Sequence, residues 1–483
     1  ITSQARSMSP GLGEKVFWCL GFITHRFGEP ATSPGTPIKA QRTPGDREPG
    51  HGIGIPVDAS KWEEAPIGFR AMADSLPGFA DIEAAAAAGG AVVLQTPAFP
   101  SHSFSDLAGR EVWLKAENLQ RAGSFKIRGA MNALSHLDEE ARRGGVVAAS
   151  AGNHAQGVAL AAQHFGIPAT IFMPETAAIP KVLATQGYGA DVRLHGPTMT
   201  EAVEAAVQLA GSGHAAFIHP YDHPHIVAGQ GTLGLELAHQ IPQPETVVIP
   251  IGGGGLIAGT ALALRTLWPG VTIVGVEAEP MPLYTASRKA GAPTRIPAAA
   301  TVADGIAIAV PSDICYRLIE AHVDELVAVP DAGTTRAVAL LLERSKLLVE
   351  PAGAVGIAAL LDGRIPGDGP VAVVLSGGNI DPLFLNQVLR QGLETAGRFG
   401  AFRVRVPDVP GQLAKVVNAI GAAGANVLSV EHRREGIGLP LGVVEIGFTV
   451  AARSRPHFAA VLEALADYDV AVELQGDGTG AAG

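Results

Sequence analysis

Short runs of β-forming, largely apolar residues alternate with Ala- and Leu-rich stretches between about residues 75 and 395. The runs have almost no polar alternation, which is typical of strands that are buried on both faces of a sheet. Such strands, when they alternate with helices, form parallel sheets, so we expect an α/β fold over this region. The runs that we interpret as strands are residues 146–149, 169–173, 246–251, 271–276 and 371–375.

The pattern changes after Gly400. Short alternating strands and two amphipathic helices follow in the order βαββαβ, which predicts a ferredoxin-like domain over residues 400–476. The predicted segments are strands at 402–406, 426–430, 443–450 and 470–474, and helices at 412–422 and 457–466. Residues 1–70 carry clusters of Pro and Gly without apolar periodicity, so we interpret them as a disordered or mis-started extension.

Charge and cysteine content restrict the class of protein. The 35 Lys and Arg against 46 Asp and Glu give a net charge of −11, which argues against nucleic acid as a partner. Apolar runs reach only about half of the roughly 20 residues that a membrane helix needs, so we expect no membrane span. Cys19 and Cys315 cannot form a disulfide framework, and a cytoplasmic location is the simplest expectation.

A loop of four consecutive glycines follows the strand at 246–251. Gly252, Gly253, Gly254 and Gly255, called the glycine loop below, precede a helical stretch and let backbone amides converge on a phosphate. The spacing is not that of a dinucleotide fingerprint, and the GxxxxGK[ST] pattern is absent. We therefore expect the phosphate of a smaller ligand, with a merely flexible turn as the alternative.

Lys126 stands in an apolar, glycine-flanked turn at the start of a predicted helix. Burial would lower the pKa of its ammonium group and make the neutral amine available as a nucleophile or base. A surface lysine that begins a helix is the alternative.

Two further loops follow predicted strands. The first, residues 150–154 (the asparagine loop), has the sequence Ser-Ala-Gly-Asn-His and either binds a carboxylate at a helix N-terminus or only caps the helix. The second, residues 376–379 (the serine loop), has the sequence Ser-Gly-Gly-Asn. Ser376 at the end of a parallel strand either faces a ligand crevice or caps the next helix.

Together these segments resemble the fold type II pyridoxal-phosphate enzymes, and most closely the threonine ammonia-lyase (threonine dehydratase) family. The resemblance covers about residues 75–395 and rests on six short motifs in family order. It implies a tryptophan synthase β-like fold of two parallel-sheet subdomains, the smaller inserted at about 148–225. The motifs are Ser124-Phe125-Lys126, the asparagine loop, the glycine loop, residues 302–306, residues 349–353 and the serine loop.

The resemblance implies pyridoxal phosphate as the cofactor. Lys126 would hold it covalently, the glycine loop would bind its phosphate, and Glu350 would support the site from behind. Ser376 would face the pyridine nitrogen, and because a hydroxyl cannot enforce protonation there, prompt loss of a β-substituent is favoured over a long-lived carbanion. The implied cofactor-binding residues are Phe125, Lys126, Asn153, Gly252, Gly253, Gly254, Gly255, Gly305 and Ser376.

The implied reaction is the β-elimination that deaminates L-threonine to 2-oxobutanoate and ammonia, and L-serine to pyruvate. Lys126 would be the catalytic residue that takes the α-proton. The residues implied in binding the substrate carboxylate are Ser150, Ala151, Gly152, Asn153 and His154.

Some positions depart from related families. Serine racemases resemble this core but have a second serine where Ala151 stands, which argues for elimination. The racemase-like metal site near Glu279 would need oxygen ligands where Leu283 and Thr285 stand, so we expect no metal. The alternatives are a serine racemase, a serine dehydratase or another fold type II lyase, and, outside enzymes, a catalytically silent amino-acid-binding regulator.

The C-terminal unit resembles an ACT domain. The resemblance implies that it senses an amino acid or, alternatively, only assists assembly, and the family implies a homodimer or homotetramer. The residues implied in regulation are Asp408, Pro410, Gly411, Gln412, Leu413 and Asn426.

Overall fold

The computed structural model describes residues 75–473 with the exception of Ala91, His214 and residues 435–438. The expected extension at residues 1–70 lies outside the described residues. The strands are β1 (Ala98–Pro100), β2 (Val112–Ala116), β3 (Val146–Ala149), β4 (Ala169–Met173), β5 (Asp191–Leu194), β6 (Ala216–Phe217), β7 (Thr246–Pro250), β8 (Thr272–Ala278), β9 (Glu325–Val329), β10 (Val371–Leu375), β11 (Phe399–Pro407), β12 (Asn426–Arg433), β13 (Val443–Ala451) and β14 (Asp469–Glu473).

The helices connect these strands. They are α1 (Phe79–Gly89), α2 (His102–Ala108), α3 (Lys126–Ser135), α4 (Glu139–Gly144), α5 (Asn153–Phe165), α6 (Ile179–Gly187), α7 (Met199–Gly211), α8 (Pro224–Gln240), α9 (Gly255–Leu267), α10 (Leu283–Ala290), α11 (Asp313–His322), α12 (Asp331–Leu340), α13 (Pro351–Leu361), α14 (Pro382–Thr395), α15 (Gln412–Ala422) and α16 (Arg455–Glu463). Short 3-10 helices at Glu117–Leu119, Arg121–Gly123 and Asp304–Ile306 and a π-helix at Leu341–Ser345 accompany them.

The larger sheet has the strand order β1-β2-β10-β7-β8-β9. Its neighbouring strands run parallel except β1 and β2. Along β10, Val371 and Val373 pack toward α12 and α13, whereas Ala372 and Val374 pack toward α8, α9 and α11. Because helices cover both faces, the strand is apolar at every position, as the sequence indicated.

The smaller sheet has the order β5-β4-β3-β6, and all its neighbours are parallel. Val146 and Ala148 of β3 pack on the side of α3 and α5. Val147 and Ala149 pack on the side of α7. The predicted α/β fold with two parallel sheets is confirmed.

The C-terminal sheet is antiparallel, in the order β12-β13-β11-β14. Phe402, Val404 and Val406 alternate along β11 and form a core with Val416 of α15 and Val461 of α16. The two helices therefore cover one face, and the predicted order βαββαβ is confirmed. No helix among the described residues is both long and apolar enough to cross a membrane.

Candidate active site

A cavity opens at the carboxyl ends of β7 and β10. The glycine loop follows β7 and the serine loop follows β10, so parallel strands bring the two loops to the same edge. Four of the six sequence-predicted segments line it, while the asparagine loop and the segment that contains Glu350 lie outside the lining. The lining residues are Phe125, Lys126, Pro220, Tyr221, Gln230, Pro250, Gly252, Gly253, Gly254, Gly255, Leu256, Gly305 and Ser376.

Lys126 is the first residue of α3, is half-buried, and lines this cavity. Its Nζ donates a hydrogen bond to the carbonyl of Pro220 at 2.9 Å and lies 5.2 Å from the centre of the Phe125 ring. Burial lowers the pKa of Lys126 to about 8, against a smaller opposing effect of nearby acidic groups. A substantial fraction of the amine is therefore neutral and nucleophilic near neutral pH.

The helix that carries Lys126 is anchored by a buried ion-pair network. Arg128 is only 2% exposed, and its guanidinium binds both carboxylate oxygens of Glu117 at 2.7 and 2.8 Å and both of Glu236 at 2.7 and 2.8 Å. Lys115 adds a bond to Glu236 at 2.8 Å. These paired charges join α3 to α8 and hold the first turn of α3 in place. This network was not predicted from the sequence, where the only indication of it is the presence of charged residues within largely apolar segments.

The glycine loop has room for backbone only. A Cβ on Gly253 would lie 2.2 Å from a ring carbon of Tyr221, and one on Gly254 would lie 2.5 Å from the hydroxyl of Tyr284. Gly254 also has a φ of +90° and is the N-cap residue of α9. The first amides of α9 have no preceding turn to bind, so this loop suits a phosphate.

Ser376 and Gly305 complete the wall of the cavity. Ser376 is 5% exposed, and its carbonyl accepts a hydrogen bond from the Phe125 amide at 3.1 Å. The next helix, α14, is capped by Asp381, so Ser376 is not its cap. Gly305 lies in the 3-10 helix, where a Cβ would lie 3.0 Å from the Cβ of Ala352.

The asparagine loop begins α5, with Gly152 as an N-cap residue that offers no side chain. Ser150 Oγ accepts from the Gly152 amide at 3.1 Å. The ring of His154 lies 2.8 Å from the carbonyl of Ile218, and burial followed by the Lys126 charge lowers its pKa to about 3. The imidazole is therefore neutral near pH 7, and its Nε2 is engaged by the chain itself.

Asn153 contacts Glu350 through its side-chain amide. Its Nδ2 donates to Glu350 Oε1 at 2.7 Å, across 197 residues of sequence. Glu350 is 5% exposed, and burial, followed by repulsion from Asp304, raises the pKa of its carboxyl group to about 7. The carboxyl group thus titrates near neutral pH directly behind Asn153.

Five lining residues were not predicted as part of the site: Pro220, Tyr221, Gln230, Pro250 and Leu256. The carbonyl of Pro220 receives the Lys126 amine, and the ring of Tyr221 packs over Gly253. Next to them, His219 Nδ1 accepts from the amides of Tyr221 and Asp222 at 3.3 and 2.7 Å and so supports the turn. The cluster of His, Pro and Tyr at 219–225 was the available signal, but it indicates a loop and not a ligand site by itself.

Thr285, one of the positions considered for metal binding, has another contact. Thr285 Oγ donates to Glu277 at 2.6 Å, and Glu277 also accepts the amides of Tyr284 and Thr285 at the start of α10. Within the described ranges, no group of three or more His, Cys, Asp or Glu side chains is arranged to hold a metal ion.

A second cavity lies in the C-terminal unit, beside Gly411, whose φ is +92°. It contains five of the predicted regulatory residues, together with His432 and Arg434. Asn426 does not line it but starts β12 opposite Ala451. The lining residues are Val406, Pro407, Asp408, Val409, Pro410, Gly411, Gln412, Leu413, His432, Arg434, Val444 and Ile446.

Comparison with known proteins identifies the class of both units. Residues 91–377, more than half of the chain, match the family described as pyridoxal-phosphate dependent enzymes, and residues 401–469 match the ACT domain. The chain therefore belongs to the pyridoxal-phosphate dependent enzyme family and carries a C-terminal ACT domain, as its motifs predicted.

The relatives narrow this class. The L-threonine ammonia-lyase of Thermotoga maritima is 45% identical over 366 residues, which are 76% of this chain and 91% of that protein. The processed form of threonine deaminase isoform 2 from Solanum lycopersicum has a TM-score of 0.62 at 33% identity. The match covers 71% of this chain and 91% of the deaminase. Maize serine racemase has a TM-score of 0.62 at 34% identity, and the match covers 66% of this chain and 99% of the racemase.

The cofactor is pyridoxal phosphate, and the cavity suits it. Lys126 supplies an amine with a lowered pKa, and the glycine loop forms a cradle that any Cβ at Gly253 or Gly254 would obstruct. Ser376 supplies a hydroxyl in the same wall. These three features fit the group: they would serve as its attachment point, its phosphate site and its polar partner.

Proposed function

We propose that this enzyme deaminates L-threonine to 2-oxobutanoate and ammonia by β-elimination, and L-serine to pyruvate. One observation carries the proposal: a lysine with a lowered pKa faces a glycine cradle and Ser376 in one cavity. The 45% identity to an L-threonine ammonia-lyase supports this choice of reaction.

The proposed site follows the sequence-derived assignments. Phe125, Gly305 and Ser376 would contact the cofactor ring and the glycine loop its phosphate, with Asn153 on the ring hydroxyl and Glu350 behind it. The asparagine loop would seat the substrate carboxylate through the backbone amides at the start of α5. The bound cofactor supplies an electron sink that acidifies the α-carbon of the amino acid.

Lys126 would move the proton. Its neutral amine takes the α-proton, the bond from the β-carbon to the hydroxyl group breaks, and one water leaves. The resulting enamine becomes an imine, which water hydrolyses to the keto acid and ammonia, so that the water lost is regained. Ala151 has no hydroxyl to return a proton from the opposite face, which favours elimination over racemisation.

The ACT domain gives the enzyme a second proposed role as an amino-acid sensor. Its cavity combines the backbone turn at Gly411 with Arg434, whose guanidinium lies 3.6 Å from Asp408. Positive φ at Gly411 exposes amides at the start of α15, which suit a small carboxylate. We propose the catalytic unit as residues 75–395, with its insertion at about 148–225, and the ACT domain as residues 400–476.

We also propose a homodimer or homotetramer. β12 is an edge strand of the ACT sheet, and it exposes Leu428 at 51% and Val430 at 41%. Exposed apolar residues on an edge strand are a ready surface for pairing between chains. Light scattering on the purified full chain measures the assembly directly, and a monomer at micromolar concentration would refute it.

A keto-acid assay tests the main proposal. Purified enzyme with pyridoxal phosphate should form 2-oxobutanoate from threonine and pyruvate from serine, and isoleucine should change the rate if the ACT domain senses it. One methyl group is worth about 1 to 3 kcal/mol in a pocket, so the two substrates should differ by at most a few hundredfold. Absence of keto acid from both would refute the proposed reaction.

Replacement of Lys126 tests its proposed role. Lys126→Ala should abolish both the absorbance of covalently bound cofactor and turnover, because the attaching amine and the base are lost together. Lys289→Ala, at an exposed position of α10, is the matched control and should retain both. Turnover in Lys126→Ala at the wild-type rate would contradict the assignment.

A further inference from the structure

Asn379, the last residue of the serine loop, joins two parts of the site. Its Nδ2 donates to the carbonyl of Ala122 at 2.7 Å and to Oδ1 of Asn153 at 2.9 Å. Asn153 Nδ2 in turn donates to Glu350 Oε1 at 2.7 Å. A continuous chain of hydrogen bonds therefore runs from the turn before Lys126 to the carboxyl group of Glu350.

The donor-to-acceptor direction of this series of hydrogen bonds is fixed at its Ala122 end. The carbonyl of Ala122 can only accept a hydrogen bond, so the amide of Asn379 must present its nitrogen there. The same nitrogen donates to Asn153, which must then present its oxygen to Asn379. Asn153 is left with its nitrogen on the side of Glu350, and since a carboxyl group accepts in either protonation state, this orientation does not depend on Glu350.

The amide nitrogen of Asn153 carries two hydrogens. Glu350 accepts one of them, which leaves one N–H to donate to another group. If the amide of Asn153 were reversed, its oxygen would face Glu350 and any ligand oxygen beside it, and no donor would remain on that side.

The Ala122 end of this series of hydrogen bonds lies in a tightly packed turn. Ala122 has a φ of +58°, in the left-handed region that a residue with a Cβ rarely adopts. Gly123 follows with a φ of +69°, and a Cβ there would lie 2.2 Å from Oδ1 of Asn379. The amide of Gly378 also donates to the carbonyl of Gly123 at 2.9 Å. The turn and the serine loop thus pack so closely that no Cβ fits at Gly123 beside Asn379.

We propose that Asn379 is a positioning residue that fixes the side-chain amide of Asn153 so that its free N–H is directed to the ring hydroxyl of pyridoxal phosphate. This rests on the proposed cofactor contact of Asn153. A hydrogen bond to the ionised ring oxygen favours that form, so loss of the fixed amide should make the oxygen harder to ionise.

The test measures pyridoxal phosphate itself and not threonine turnover, so it remains informative if another amino acid is the substrate. Asn379→Ala removes the donor without adding atoms, and Asn379→Asp replaces it with an acceptor that forces Asn153 to reverse. We expect the pH midpoint of the bound-cofactor absorbance to rise by about one unit and the Kd for the cofactor to rise about tenfold in Asn379→Asp, with smaller changes in Asn379→Ala.

A double-mutant cycle distinguishes an effect of Asn379 through Asn153 from a general loosening of the site. In an Asn153→Ala background, replacing Asn379 should cause no further shift of the pH midpoint. Asn118→Ala is the matched control, because Asn118 donates to the carbonyl of Leu348 at 3.1 Å beside the serine loop without contacting Asn153. It should lower the melting temperature and leave the midpoint unchanged.

Two results would overturn the proposal. One is an additive shift, in which Asn379→Ala moves the midpoint equally with and without Asn153. The other is a shift in Asn118→Ala as large as in Asn379→Ala, which would make the effect a loosened loop. If Asn379→Asp does not fold, Asn379→Ala and its cycle still decide the question.

Discussion

Lys126 and Glu350 are ionisable side chains whose pKa values burial moves toward neutrality, one downward and one upward. For each group, the loss of hydration on burial disfavours the charged form more than nearby charges and hydrogen bonds stabilise it, so its pKa moves toward neutrality. The position of Lys126 is maintained by the anchored α3, and that of Glu350 by its contact with Asn153. The pKa values of these two side chains are therefore a consequence of how the chain packs around them.

The raised pKa of Glu350 predicts a pH-dependent stability. A carboxyl group with a pKa of about 7 in the folded chain and its ordinary value of 4.5 when unfolded stabilises the fold below pH 4.5. That contribution is lost as the pH rises to 7. Glu350→Gln lacks this dependence and still accepts the hydrogen bond from Asn153. Relative to wild type, its free energy of unfolding should gain up to about 3 kcal/mol between pH 5 and pH 8.

Urea unfolding of the protein prepared without cofactor, at pH 5, 6.5 and 8, measures this difference. Glu320→Gln, on the surface of α11 where Arg288 pairs with Glu320 at 2.7 Å, is the control and should show no such gain. A constant difference between wild type and Glu350→Gln at all three pH values would contradict the raised pKa.

At the scale of elements, the site consists of loops that follow buried parallel strands. The glycine loop is positioned by β7 and α9, which belong to a large core, and by the hydroxyl of Tyr284, which donates to the carbonyl of Gly253 at 2.9 Å. Its neighbour, Tyr221, comes from the connection between β6 and α8 and covers the loop from outside. Side chains in the loop would therefore separate elements that pack against each other.

Gly253→Ala should weaken cofactor binding. A Cβ at this position would lie 2.2 Å from the Tyr221 ring, so either the ring or the cradle must move. We expect the Kd for pyridoxal phosphate to rise at least about tenfold, measured by absorbance titration. Gly270→Ala, in a turn where a Cβ meets no atom within 4 Å, is the control. Equal affinities of the two variants would show that the cradle tolerates side chains.

Gly152→Ala should separate substrate binding from cofactor binding. A Cβ on Gly152 would meet no protein atom within 4 Å, and its φ of −142° is accessible to alanine. The variant should fold and bind pyridoxal phosphate normally, because nothing in the chain is displaced. The KM for threonine should rise about tenfold if the substrate carboxylate occupies that space, and steady-state kinetics measure it. An unchanged KM would remove the asparagine loop from the substrate site.

At the scale of the whole molecule, the catalytic unit and the ACT domain have separate cores. The core of the ACT domain contains only residues from Phe402 onward, and those of the parallel sheets contain only earlier ones. The connection is mainly polar: Arg398 pairs with Glu343, and Arg455 donates to the carbonyl of Thr395 at 3.1 Å. Contacts of this kind join two units without merging their folding.

Removal of residues 398–483 should therefore leave catalysis and remove regulation. We expect the shortened chain to keep most of its threonine turnover, since the cavity and its supporting cores remain. Any response of the full chain to isoleucine should disappear with the ACT domain. Rates with and without isoleucine, measured on both chains, provide the comparison. A shortened chain that binds cofactor but does not turn over would show that the ACT domain completes the active site.

The sequence by itself determined the elements and the order of the motifs. Continuous apolar runs such as β10 identify parallel strands because only strands covered on both faces can lack polar positions. The loops that follow β7 and β10 could be assigned to one edge, since parallel strands end together. The glycine loop and Ser376 could therefore be expected at one edge of the sheet, whereas Lys126 was assigned to the same cavity only through the resemblance to the pyridoxal-phosphate enzymes.

Only the tertiary structure decided the partners of these side chains. The contact of Asn379 with Asn153 joins residues 226 positions apart, and that of Lys126 with Pro220 joins residues 94 apart. Local patterns carry no information about such pairs, because hydrogen-bond partners and burial depend on how separate elements pack. For the same reason, only the folded chain shows that the ring of His154 is hydrogen-bonded to the carbonyl of Ile218. Only the folded chain shows that Asn426 does not line the ACT cavity.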